Sequence, residues 1–146
     1  MLKRDPSRLV IDVLHKTDYF VSRKKNTALE PYGVTMYQAM SLIYIAQHED
    51  SMDINQRAIE RYTKLSNPGV SKLINVLEDL GYVERTTDPS DARSHLLRST
   101  ESGREHAAIF LKVIEQADKD ITAPLSSEEY AQLKTLLGKL TGHQSK

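Results

Sequence analysis

Apolar residues recur at three- and four-residue spacing along most of this chain, which is the period of a helix with one buried face. Over residues 7–26 the stripe is Val10, Val13, Leu14, Thr17 and Val21, widened by Leu9, Ile11 and Phe20, with Pro6 just ahead of it. Glu30, Pro31, Tyr32 and Gly33 interrupt the pattern. A second helix is expected over about 35–47, with Met36, Met40, Ile43 and Tyr44 on one side and Thr35 as its N-cap. A short helix over 55–62 and a turn over 64–69 follow. The next helix runs to Leu80, carries Val70, Leu73, Ile74 and Leu77 inward, and has Ser66 or Asn67 as its cap. Pro68 suits its first turn, where a missing N–H costs nothing, and Gly81 ends it at a position needing φ > 0.

Beyond Gly81 the period changes. Residues 82–86 and 95–99 read as two short strands, and the Asp-Pro-Ser-Asp run between them as a long hairpin tip over 87–92. Thr100 to Gly103 open a helix reaching about Ile121, with Ile109, Phe110, Val113, Ile114 and Ala117 on one face, and Pro124 breaks it. Ser126 and Glu129 form a capping box for a last helix carrying Tyr130, Leu133, Leu136, Leu137 and Leu140. The order is four helices, a hairpin and two helices. The fold class expected is mainly α: a winged helix-turn-helix with flanking N- and C-terminal helices. Residues 1–146 read as one domain, with 34–102 as the winged unit and 7–30 and 103–142 as dimerisation helices. Isolated helices cannot bury a stripe alone, so the outer two cap their own domain or pair with a second chain.

Composition narrows the function. Cysteine is absent, which excludes disulfides and thiol chemistry. No stretch is apolar enough for a membrane span or a secretion signal, so a cytoplasmic protein is expected. The five histidines, His15, His48, His95, His106 and His143, lack metal-ligand spacing, so no metal or other cofactor is expected. No nucleophile elbow, zinc-protease motif or phosphate-cradling glycine loop is present, so an enzyme is not expected. Lysine plus arginine balance aspartate plus glutamate at 20 each. The balance is uneven along the chain: between Ile54 and Asn75 the charges are Arg57, Arg61, Lys64 and Lys72 against Glu60 alone. That segment is the candidate anion-facing surface.

Several runs resemble the MarR family of bacterial transcriptional regulators. They are Ile54-Asn55-Gln56 through Val70-Ser71-Lys72-Leu73-Ile74, Leu77-Glu78, Gly81-Tyr82-Val83-Glu84-Arg85, Asp88-Pro89-Ser90-Asp91-Ala92-Arg93 and Thr100-Glu101-Ser102-Gly103. The likeness covers about 33–103. Three positions depart from the family pattern: Gly69 and Ser99 stand where Ser or Thr and Leu are common, and Glu60 where a small residue is common. Ser99 is expected to lose some packing under the wing.

The helix opening at Ser66 is a candidate DNA-reading element, because a helix N-terminus attracts phosphate. Ser66, Asn67 and Ser71 are candidate donors, Gly69 allows close backbone approach beside Pro68, and Lys72 and Asn75 lie further along the exposed face. Asn reads adenine in a bidentate way, and Lys reaches guanine or phosphate. Capping is the competing role for Ser66 and Asn67. The resemblance implies that Arg93, on the hairpin, enters the minor groove, supported by a salt bridge from Asp91. Arg85 and His95 are further phosphate-contact candidates at the wing base.

Double-stranded DNA carrying a near-palindrome is the expected partner, read by a homodimer. The interface candidates are Val10, Val13, Leu14, Leu133, Leu136, Leu137 and Leu140. The resemblance also implies release by a small aromatic ligand, for which Tyr19, Met36, Tyr37, Met40, Tyr44 and Phe110 are candidate lining residues. Three readings stay open: a ligand-responsive repressor, a DNA-binding regulator with no small-molecule input, and a winged-helix adaptor that binds protein, which the neutral net charge keeps in play.

Overall fold

The computed structural model describes Asp5 and residues 9–142. Pro6, Ser7 and Arg8, where the first helix was expected to begin, and His143 lie outside the described residues. The elements in chain order are α1 (Val10–Leu29), a 3₁₀ turn (Glu30–Tyr32), α2 (Met36–His48), α3 (Gln56–Thr63), α4 (Asn67–Asp79), β1 (Val83–Asp88), β2 (Asp91–Ser99), α5 (Glu101–Thr122) and α6 (Ser127–Thr141). This is a mainly helical winged helix-turn-helix.

Local chemistry sets most boundaries. Thr35 caps α2 in a capping box: its hydroxyl accepts from the Gln38 N–H, and the Gln38 side chain accepts from the Thr35 N–H. Ser66, Thr100 and Ser126 cap α4, α5 and α6 by accepting from the N–H three residues on. These bonds satisfy amides that the first helical turn leaves without partners. α4 ends with Gly81 at φ +73°, while Tyr82 N–H donates to Leu77 carbonyl and Gly81 N–H to Glu78 carbonyl, at 2.9 and 2.8 Å. That pairing requires the left-handed backbone that glycine adopts without strain. α1 continues past 26 to Leu29, which is fully buried, before Pro31 tightens the chain into the 3₁₀ turn.

The hairpin differs most from expectation. The strands extend to Asp88 and start again at Asp91, so the long tip shrinks to Pro89 and Ser90. β-Branched Thr86 and Thr87 favour the extended backbone, and antiparallel pairing satisfies the peptide groups that a long loop would expose. Thr87 pairs with His95, but the next pair is Asp88 with Asp91, so Ala92, Arg93 and Ser94 form a bulge on β2.

The core lies between the helix-turn-helix, the base of the wing and α5. Phe110 of α5 is fully buried, with Tyr32 and Tyr82 edge-on to its ring at 5.7 and 6.1 Å between centroids. Leu29, Leu42, Ile45, Ile54, Ile59, Ile74, Leu77 and Leu97 complete the dry centre. Gly103 lets α5 approach the start of the wing: a Cβ there would sit 1.9 Å from the Tyr82 carbonyl oxygen. α6 adds no buried side chain.

Candidate nucleic-acid interface

The leading end of α4 is open to solvent, with Ser66, Asn67 and Pro68 exposed and Gly69 half-buried. Its amides are less available than a generic helix start. Pro68 has no N–H, and the Gly69 N–H donates to Ser66 Oγ at 3.4 Å. Ser66 is therefore the cap, while Asn67 and Pro68 occupy the first helical positions. The Asn67 amide donates to Glu60 Oε1 at 2.7 Å, and Gln56 Nε2 donates to the Asn67 carbonyl at 3.3 Å. Glu60, a departure from the resembled pattern, thus ties the turn of the motif to α3. Ser71 is half-buried, and Lys72 and Asn75 are exposed further along α4.

At the far end of α4 two candidate residues meet each other. Arg85 of β1 donates to Asn75 Oδ1 at 2.7 Å and lies 3.3 Å from Glu78 Oε2. The pair fastens the wing base to α4 and occupies the acceptor that Asn75 would offer a base edge. Arg93 and His95 are exposed on β2. Arg93 sits in the bulge beside the two-residue tip, which turns its side chain out of the ladder register. The expected Asp91–Arg93 salt bridge is not formed. Asp91 Oδ1 instead accepts the main-chain N–H of Arg93 at 3.0 Å, because the bulge needs an acceptor for that amide. The tip is set by Asp88, whose Oδ1 accepts from the Ser90 hydroxyl and N–H at 2.7 and 2.8 Å. The Ser90 hydroxyl first, then its N–H, holds the Asp88 carboxyl below its ordinary value.

Between α3, α4 and the wing runs a polar groove of about 560 Å³. Its lining brings together Asn67, Arg85, Arg93 and His95 from the sequence expectation with Gln56, Arg57 and Glu60 from α3. Asp88 and Asp91 also line it, so the groove mixes signs. The α3 contribution was legible only as part of a basic segment. Its convergence on the groove depends on how α3 packs across α4.

Residues 32–94 match the model of the MarR family. That stretch, from the 3₁₀ turn into the wing, is MarR-like. Among curated proteins, the chain is similar to the HTH-type transcriptional regulator YdcH of Bacillus subtilis, 28% identical over 110 residues that cover 73% of this chain and 74% of YdcH. It is similar to the HTH-type transcriptional repressor Rv2887 of Mycobacterium tuberculosis, 25% identical over 128 residues covering 88% and 90% of the two chains. Among solved structures, the Staphylococcus aureus MepR–DNA complex shares the fold with a TM-score of 0.81 at 24% identity, over 92% of this chain and 97% of MepR. Both curated relatives are named as regulators of transcription.

The remaining candidates fall into two groups. Six of the seven dimer candidates are exposed, from Leu137 at 39% to Val10 and Leu140 at 66%, and Leu14 is half-buried. None of the six ligand-lining candidates lines the cavity between α1 and α5. Phe110 is core, Tyr19 and Tyr37 are exposed, and Met36, Met40 and Tyr44 are half-buried. Tyr44 stacks between Tyr62 and His48, at 4.4 and 4.5 Å. A cavity of about 520 Å³ does open between α1 and α5, lined by other residues: Phe20, Lys24, Thr27, Ala28, Val113, Gln116, Ala117, Asp120, Ile121 and Pro124. Helical spacing marked aromatic positions but not which side of two packed helices stays open. Among the described residues, no group of histidines and acids is arranged to hold a metal ion, and no helix is long and apolar enough to cross a membrane.

Proposed function

We propose that this protein is a homodimeric, sequence-specific DNA-binding repressor that a small molecule releases from its operator. Residues 34–102 are the reading unit, and the helices within 7–30 and 103–142 are the dimer arms, in a cytoplasmic protein. One observation carries the reading: Asn67 at the solvent-open start of α4 and Arg93 in the bulge line the same polar groove. A helix in the major groove with an arginine in the adjoining minor groove uses such a placement. The DNA-bound state of MepR and the repressor name of Rv2887 support it.

In this reading Ser66, Asn67, Pro68, Gly69, Ser71 and Lys72 face the major groove, and Arg85 and His95 face phosphates. Asn75 reads a base only after exchanging its bond with Arg85, and Asn67 only after leaving Glu60. Specific binding therefore trades two internal bonds for two to DNA. The dimer follows from the bare leucines of α6 and the exposed start of α1, which water solvates poorly. A symmetric pair would present two heads to half-sites about 34–36 Å apart. The ligand's place is the cavity between α1 and α5, where apolar walls suit an aromatic ring and Lys24 supplies a countercharge for an anion.

The test is selection of bound duplexes from a random-sequence library, followed by titration of the recovered duplex at rising salt. A two-fold-related consensus and a steep linear fall of log K with log salt are expected. Absence of a consensus, with binding indifferent to salt, would overturn the reading and favour the protein-adaptor role.

A further inference from the structure

Glu49 carries an acidic side chain into the protein where the helix-turn-helix meets α5. It closes α2 and is 7% exposed. A carboxylate removed from water must find donors for both oxygens. Oε2 accepts from the Ser99 main-chain N–H at 2.6 Å, and Oε1 accepts from the Ser99 hydroxyl at 2.7 Å. Arg104 Nη1 lies 3.6 Å from Oε1 and donates to the Ser99 carbonyl at 2.8 Å. Arg98 donates to the Glu49 carbonyl at 2.6 Å. Ser99 itself is 4% exposed. The carboxylate comes from α2, and its donors come from the last residue of the wing and the first turn of α5.

A second attachment holds α5 from the other side. Thr100 N–H donates to the Tyr82 carbonyl at 3.0 Å, the Thr100 hydroxyl to the Gly81 carbonyl at 2.6 Å, and Gly103 lies against Tyr82. Phe110 and Ala107 already pack α5 into the core, so these hydrogen bonds add directional restraint at its start, where apolar packing alone allows small rotations. We propose that Glu49 is a positioning residue, whose buried carboxylate locks the return strand of the wing and the start of α5 to the end of α2, so that head, wing and dimer arm move as one body. Its consequence for half-site spacing rests on the DNA-binding dimer proposed above. The lock itself does not. Arg98 and Arg104 are consumed by this junction and belong to it.

The test uses the cysteine-free chain. Spin labels on full-length Ala92→Cys/Lys112→Cys protein, diluted with unlabelled protomers, report the wing-to-α5 distance distribution by electron–electron resonance. A narrow distribution is expected for the parent, and one broadened about twofold for Glu49→Ala at unchanged helical content. Glu49→Gln should stay near the parent width, since its carbonyl oxygen accepts the Ser99 N–H and its NH₂ faces the hydroxyl. Should Glu49→Ala fail to fold, Glu49→Asp, one methylene short of Ser99, is read the same way. With the library-selected duplex, one inserted base pair turns the second half-site by about a tenth of a turn and should weaken the parent about tenfold. Glu49→Ala should lose clearly less. Unchanged width in a folded Glu49→Ala or Glu49→Asp protein overturns the proposal, as does equal broadening in Glu49→Gln. If no duplex is selected, the DNA reading fails while the distance measurement still decides the lock.

Discussion

The reading head and the outer helices are built from the same helical periodicity, yet only the head completes its own core. Leu42, Ile74 and Leu77 of the head, with Phe110 that the start of α5 adds to them, are fully enclosed by the same chain. Along the start of α1 and all of α6, Val10, Ile11, Val13, Leu136 and Leu140 are more than half exposed. A period of three and four states that a helix has an apolar side and not what covers it. The head is a finished fold. The arms are half of an interface.

The sharpest way to break that comparison is to damage the finished half. Phe110→Ala removes a fully buried ring touched by Tyr32 and Tyr82, and should cost about 3–5 kcal/mol, read by chemical denaturation. A cost near that of a surface change would mean that the core shared by the head and the start of α5 is not closed. Leu136→Glu tests the unfinished half. It should yield monomers by sedimentation and weaken dimerisation by about 2 kcal/mol or more, because a carboxylate would have to enter an apolar contact. An intact dimer would place the interface elsewhere. Arg93→Ala should leave the dimer and the fold alone and weaken DNA binding by about 1–3 kcal/mol, with a shallower salt dependence. Unchanged affinity and slope would remove the wing from the interface.

The smallest effect has the opposite sign. Ser41 is fully buried in α2, and its hydroxyl has no hydrogen-bond partner among the described residues. Ser41→Ala should stabilise the protein by about 1 kcal/mol in the same denaturation measurement, since it removes a desolvated group that gains nothing in return. A loss of stability would show that the hydroxyl is satisfied in solution. At the wing tip the sign of the pH effect follows from Asp88. A carboxyl held below its ordinary value favours the folded tip above that value, and this support fades as acid protonates it. Asp88 lies half-buried at the wing tip, away from the core, so the change belongs to wing order and not to global unfolding.

Element order, helix caps and the left-handed stop at Gly81 were legible because each depends on residues a few positions apart. Thr35, Ser66, Thr100 and Ser126 act on the amide three residues on, whatever the rest of the chain does. Hairpin length was not legible. Asp-Pro-Ser-Asp marks a turn, but strand pairing decides how many of its neighbours join the ladder. Ser99 seemed to weaken the packing under the wing. Packing instead delivered Glu49, 50 residues earlier, to fill that place with a hydrogen-bonded carboxylate.

The sequence by itself determined the succession of helices and hairpin, their caps, and the residues that could meet DNA. Tertiary structure decided which of those residues are already occupied, Asn67 by Glu60 and Asn75 by Arg85, and which apolar stripe stays bare. The reason is range. A cap or a helical period is settled within one or two turns, whereas the partner of a side chain is settled only when distant segments compete for the same space.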